Sequence, residues 1–80
     1  MGELTNRDKI AIRLAKITPA SINSWTLEIN LLIAYFGREV IDIFILLDDD
    51  KLFERIKIGR LSLQHPQVFD LQKVKEFLYA

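Results

Sequence analysis

The chain has 80 residues, half of them hydrophobic, and its 11 basic and 11 acidic side chains give a formal net charge of zero. This length holds one hydrophobic core, so we expect a single domain over residues 1–80, and the 31 Leu, Ile, Val and Phe residues exclude a disordered chain. The zero net charge gives no overall field for nucleic acid or an anionic membrane, and the absence of cysteine excludes disulfides and thiolate metal sites.

The first predicted element is a helix that begins at Thr5. Thr5 and Asp8 have the spacing of a capping box. Pro19 disfavours helical geometry at Thr18, so the helix should end near residue 16 or 17. Its apolar face consists of Ile10, Ala11, Leu14, Ala15 and Ile17.

Residues 19–36 fit two patterns. Large apolar residues alternate as in a strand, at Trp25, Leu27, Ile29, Leu31, Ile33 and Tyr35. A helix fits nearly as well, with Thr18 as N-cap, Pro19 as the first helical residue and Gly37 just after the end. The stripe of that helix would be Ile22, Trp25, Ile29, Leu32, Ile33 and Phe36. We favour the strand and keep the helix as the alternative.

Two further strands are predicted between residues 40 and 63. From Val40 to Leu47 only Asp42 interrupts an apolar run, which is typical of a central strand. Residues 48–51 supply a polar turn, and the chain returns as a strand over residues 55–63. The apolar alternation changes parity at Gly59, which predicts a bulge there. The outward residues of this strand would include Arg55, Lys57 and Arg60, which would protect a sheet edge.

The last predicted element is a helix with Asp70 as its N-cap. Phe69 and Val74 have the spacing of a hydrophobic staple. The core-facing residues would be Leu71, Val74, Phe77 and Leu78. The sequence therefore predicts an α+β fold, a three-stranded antiparallel meander flanked by an N-terminal and a C-terminal helix (α-β-β-β-α). If residues 19–36 are helical, the order becomes α-α-β-β-α.

Catalytic chemistry is not indicated by the sequence. His65 is the only histidine and there is no thiol, so we interpret His65 as an ordinary turn residue. The aspartates at 48–50 lack the spaced oxygens and the glycine of a calcium loop, which favours a solvated turn. The three glycines are too far apart for a phosphate-binding loop. We therefore expect no enzyme, no catalytic residues, no cofactor and no metal.

The apolar excess of so small a domain predicts a contact surface, because uncovered apolar patches mark partner sites. We expect a small regulatory or interaction protein that acts through a folded protein–protein surface, as a homo-oligomer or with a protein partner. No apolar run reaches signal-peptide or bilayer-spanning length, so we expect a cytoplasmic location without membrane contact. The alternative is a nucleic-acid-binding accessory protein. Its phosphate contacts would come from Lys9, Arg13 and Lys16 of the first helix and from Arg55, Lys57 and Arg60 of the last strand.

Overall fold

The computed structural model describes residues 2–80, and every regular element within that range is an α-helix. The helices are α1 (Asn6–Ile17), α2 (Ile22–Phe36), α3 (Val40–Phe44), α4 (Asp49–Gln64) and α5 (Leu71–Leu78). Helix α1 packs against α2, α3 and α4, while α5 packs on α4. The predicted α+β fold with its three-stranded meander is therefore wrong. The alternative order is right in making residues 22–36 helical and wrong in its two strands.

Capping side chains explain where the helices begin. The Thr5 hydroxyl accepts a hydrogen bond from the Asp8 amide at 3.2 Å, and the Asp8 carboxylate accepts one from the Thr5 amide. This capping box and the cap at Asp70, which accepts from the Gln72 amide at 3.0 Å, confirm the two predicted helix starts. Each cap satisfies amides that have no partner inside the helix.

Helix α2 replaces the strand favoured for residues 19–36. The helix begins after Ser21, whose hydroxyl accepts a hydrogen bond from the Ser24 amide. The N-cap therefore lies three residues after Thr18, the N-cap of the predicted helical alternative. Thr18 instead follows α1, where its hydroxyl donates to the Leu14 carbonyl and accepts from the Trp25 indole N–H at 2.9 Å. Helical spacing buries one side of α2 at Trp25, Ile29, Leu32 and Phe36.

Residues 40–47 and 55–63 are also helical or turn instead of strand. Val40, Ile41 and Phe44 of α3 are buried, as helical spacing requires, so burial overrides the β propensity of this run. Residues 48–50 are not a hairpin turn, because the Asp48 carboxylate caps α4 by accepting from the Lys51 amide at 2.9 Å. The aspartates at 49 and 50 lie in the first turn, where the helix dipole stabilises carboxylates.

Gly59 lies inside α4 and not at a bulge. A Cβ atom added to Gly59 would lie 2.7 Å from Cδ2 of the buried Leu32 in α2. The glycine therefore lets α4 approach α2 closely, and the change of apolar parity at this point reflects helical spacing. Four positions that share one side of α4 are buried at Leu52, Ile56, Gly59 and Ser62.

The C-terminal residues are fastened to the end of α2 by Tyr79. Its hydroxyl donates to the Phe36 carbonyl at 2.6 Å. Burial, together with the nearby negative charge of Glu39, raises the pKa of the Tyr79 hydroxyl above its ordinary value of 10.0. The folded state therefore favours the protonated phenol more strongly than the unfolded chain does. This contribution to stability is complete below about pH 10 and is lost as the pH rises through the folded pKa.

We expect Tyr79→Phe to reduce the free energy of unfolding by about 1 kcal/mol near neutral pH, because one partly buried hydrogen bond is lost. The difference from the wild type should shrink as the pH rises above about 10, because the tyrosine of the unfolded chain ionises first and the folded phenol then loses the proton that it donates. Urea unfolding of both proteins between neutral and alkaline pH measures this difference in the free energy of unfolding. Tyr35→Phe, at an exposed tyrosine, is the control. A difference that stays constant across the pH range would contradict the assigned hydrogen bond.

Candidate functional site

The most distinctive surface of the molecule is the outer side of α2. Three large apolar side chains lie exposed there in a row at Leu27, Leu31 and Tyr35, and we name them the α2 face. Their exposed fractions are 72%, 44% and 62%. The residues recur at intervals of four and so lie along the same side of the helix, opposite the buried side. Other exposed large apolar residues of the described chain, such as Leu46 and Val68, do not form such a row on one helix.

The α2 face carries no net charge. Glu28 is the only charged residue in the 15 residues of α2. Its carboxylate lies 3.5 Å from the Arg60 guanidinium of α4, so this charge is paired within the same molecule. The cores of protein–protein interfaces are depleted of charged residues and enriched in aromatic ones. The composition of the α2 face therefore matches an interface core better than an ordinary solvated helix surface.

The spacing of the α2 face suits contact with another helix. Leu27, Leu31 and the exposed Ala34 follow one another at intervals of four and three residues, the spacing of the apolar seam between paired helices. Ala34 is small and so allows a second helix to approach closely at that end. Tyr35 adds a large ring with a polar hydroxyl that can remain at the rim of a contact.

Sequence reasoning missed the α2 face because the strand prediction assigned its residues to the core. In a strand, Leu27, Leu31 and Tyr35 would share one side with Trp25 and Ile29. In the helix the same residues separate onto opposite sides, one buried and one exposed. The helical alternative contained the information needed to find this surface, because its apolar stripe does not include the three residues of the α2 face. Apolar residues left over from a complete helical stripe form a second, exposed apolar surface, which makes them a candidate contact site.

The three basic residues predicted on the first helix do lie on α1, but their environments differ. Arg13 belongs to the internal structure, since its guanidinium contacts the Asp49 carboxylate at 2.7 Å and the Leu47 carbonyl at 2.6 Å. Lys9 and Lys16 are exposed, and neither has a side-chain hydrogen bond, ion pair or ring contact within residues 2–80. Of the three basic residues on α1, only these two lysines are available for contacts with a partner.

The three basic residues predicted on the last strand lie on helix α4. Their side chains do not form one surface. The Arg55 guanidinium is stacked 4.2 Å from the centre of the Phe77 ring in α5, and its side chain is mostly buried. The Lys57 ammonium lies 5.4 Å from the centre of the Phe53 ring. Arg60 contacts α2 through the ion pair already described. The predicted basic edge is therefore replaced by three separate contacts.

His65 and the three aspartates do not converge. His65 directly follows α4, where its amide donates to the Leu61 carbonyl, and its side chain is exposed. The aspartates at 48–50 lie at the opposite end of the same helix. No group of three potential metal-ligating side chains is assembled anywhere within residues 2–80.

The structure thus defines an all-helical domain whose described part, residues 2–80, contains five helices. No helix in that range has both the length and the apolar composition required to cross a bilayer. Comparison of the chain with models of protein families, with curated proteins and with solved structures finds no match.

Proposed function

We propose that this chain is a small, non-catalytic interaction protein that acts by self-association through the α2 face. Three large apolar side chains in a row on the solvent side of a helix support this proposal. Water contact with such a row is unfavourable, by about 25 cal/mol for each Å² of apolar surface, so an apolar partner surface stabilises it. The lack of cysteine suits a reducing compartment, and we place the protein in the cytoplasm.

A second copy of the chain is the partner that the α2 face fits. The face contains no charged residue, so two copies can meet without like charges opposing each other. The net charge of zero also removes long-range repulsion between copies. Leu31 lies four residues from both Leu27 and Tyr35, so an antiparallel pairing of two α2 helices has its two-fold axis at Leu31. That pairing places Leu27 of one copy against Tyr35 of the other.

The size of the surface predicts a weak and reversible dimer. A helix of 15 residues is about 22 Å long. Contact along one such helix pair is small compared with the roughly 800 Å² per partner of a standard interface. We therefore expect a dissociation constant on the order of micromolar or weaker. Association in this range responds to changes in protein concentration.

Sedimentation equilibrium of the wild type from about 10 μM to about 1 mM tests the proposal, and we expect a monomer–dimer equilibrium in that range. Leu31→Glu would bring two carboxylates together at the axis and weaken dimerisation by about tenfold or more. Leu46→Glu is the matched control, because it makes the same change at a side chain that is 84% exposed and lies outside α2. Circular dichroism of both variants establishes that they remain helical.

Two results would overturn self-association through the α2 face. One is a wild-type protein that stays monomeric over the whole concentration range. The other is an equal loss of dimer in Leu46→Glu and Leu31→Glu, because the effect would then come from added charge in general.

The nucleic-acid alternative has less support from the geometry. Four of its six basic residues have contacts within the molecule, and those on α4 point to different neighbours. A nucleic-acid complex neutralises phosphates and therefore loses affinity steeply as salt is added. Self-association through an apolar, uncharged surface has little such dependence. Retention on mixed duplex DNA and RNA over a range of salt concentrations therefore distinguishes the two functions.

A further inference from the structure

A cleft of about 380 Å³ lies on a different side of α2, between the start of α1, the second half of α2 and the start of α3. Its volume falls within the range of about 300 to 1,000 Å³ that is typical of small-molecule sites. The lining residues that matter here are Arg7, Asn30, Ile33, Arg38, Ile41 and Asp42. These six residues bring three charged groups, one amide and two aliphatic side chains to the cleft.

The two arginines supply hydrogen-bond donors to the cleft. The Arg7 guanidinium is held in place by donating from Nη1 to the Asn30 side-chain oxygen at 2.9 Å. A guanidinium has five N–H donors, so several remain for a ligand. Arg38 has neither an ion pair nor a side-chain hydrogen bond within the described chain. Guanidinium groups of this kind bind the two oxygens of a carboxylate in parallel.

Asp42 places a negative charge on the wall of the same cleft. It lies on α3, four residues after Arg38, yet no ion pair joins it to Arg38 or Arg7 among residues 2–80. The cleft thus presents opposite charges that are not in direct contact with one another. A purely anionic ligand would leave Asp42 without a partner, whereas a ligand that carries both charges would provide a partner for Asp42 and for the arginines.

We propose that this cleft binds a small zwitterion with a short aliphatic side chain, that is, a ligand of the α-amino-acid class. Arg7 and Arg38 bind its carboxylate, and Asp42 binds its ammonium group. Ile33 and Ile41 contact the aliphatic side chain. This binding site is separate from the proposed self-association, because none of its lining residues belongs to the α2 face.

A titration followed by two-dimensional amide NMR tests the site with three related probes. L-Leucine carries both charges, 4-methylpentanoate lacks the ammonium group, and 3-methylbutylamine lacks the carboxylate. We expect saturable shifts with L-leucine at the amides of Arg7, Asn30 and residues 38–42. Each probe that lacks one charge should bind about tenfold more weakly or worse, because one charged wall of the cleft is left without a partner.

Two variants test the roles of Arg38 and Asp42 in binding the two charges of the ligand, and each has a matched control. Arg38→Gln and Asp42→Asn should each weaken L-leucine binding by about tenfold or more. Arg60→Gln and Asp50→Asn make the same chemical changes outside the cleft and should leave the affinity unchanged. Sedimentation of Arg38→Gln should show wild-type dimerisation, so failure of the zwitterion site and failure of the α2 face are distinguishable.

The zwitterion site is overturned if L-leucine produces no saturable shift at the cleft up to about 10 mM, a concentration well above weak small-molecule affinities. It is also overturned if 4-methylpentanoate binds as tightly as L-leucine and Asp42→Asn has no effect. The two arginines would then bind anions without any role for the carboxylate.

Discussion

Phe44→Ala is expected to remove about 3–5 kcal/mol from the free energy of unfolding, the usual loss when a buried aromatic side chain is truncated. Phe44 is fully buried and is one of the largest side chains of the core. It lies on α3, which has only five residues and no side-chain cap, so the helix depends on this packing for its position. A domain of this size has about 4–12 kcal/mol of stability in total. The substitution should therefore remove a large fraction of the total stability, and the variant should unfold at a much lower urea concentration than the wild type.

Urea unfolding followed by far-UV circular dichroism measures this effect. Leu46→Ala is the matched control, since Leu46 lies two residues away and is 84% exposed. We expect the control to change the free energy of unfolding by less than about 0.5 kcal/mol. A loss below about 1 kcal/mol in Phe44→Ala would mean that α3 is not packed as described.

Gly37→Ala is expected to cost about 2–3 kcal/mol, because two effects act together. Gly37 has a φ of 102° and a ψ of 152°, a backbone conformation that only glycine adopts readily. A Cβ atom there would also lie 2.8 Å from the Tyr79 hydroxyl oxygen. That hydroxyl cannot simply move away, because it donates to the Phe36 carbonyl. The substitution therefore strains the turn after α2 and disturbs the attachment of the C-terminal residues.

Thermal unfolding of Gly37→Ala should show a clearly lower midpoint than the wild type. Gly2→Ala is the control, since a Cβ atom at Gly2 would have no neighbour within 4 Å, and its midpoint should match that of the wild type. Combining Gly37→Ala with Tyr79→Phe separates the two effects. If the clash contributes, the double variant should lose less than the sum of the single variants, because both changes remove the same contact. Wild-type stability of Gly37→Ala would contradict the described turn.

Helix ends with capping side chains could be predicted from the sequence. Thr5 with Asp8 and the single aspartate at 70 were correctly placed, because a cap is a local interaction of neighbouring residues. The middle of the chain was predicted wrongly for a specific reason. Helix α2 has apolar residues on its buried side and on its exposed side, and the two sets together imitate the alternation of a strand.

The two candidate binding surfaces differ in how far the sequence indicates them. The apolar excess predicts a contact surface, and the α2 face that we propose for it becomes visible once the helical spacing of residues 22–36 is known. The cleft could not be predicted in this way. Arg7 and Arg38 are 31 positions apart, and only the packing of α1, α2 and α3 brings them to one cavity. Local patterns do not contain this information.

Trp25 provides an optical probe of the whole core. It is the only tryptophan. Its ring packs edge-on against Phe53 of α4, with the ring centres 6.3 Å apart. Its indole N–H donates a hydrogen bond to the hydroxyl of Thr18, just beyond the end of α1. One chromophore thus touches three parts of the fold. Any separation of α1, α2 and α4 admits water to the indole and shifts its emission to longer wavelength, so loss of the native packing is visible without a label.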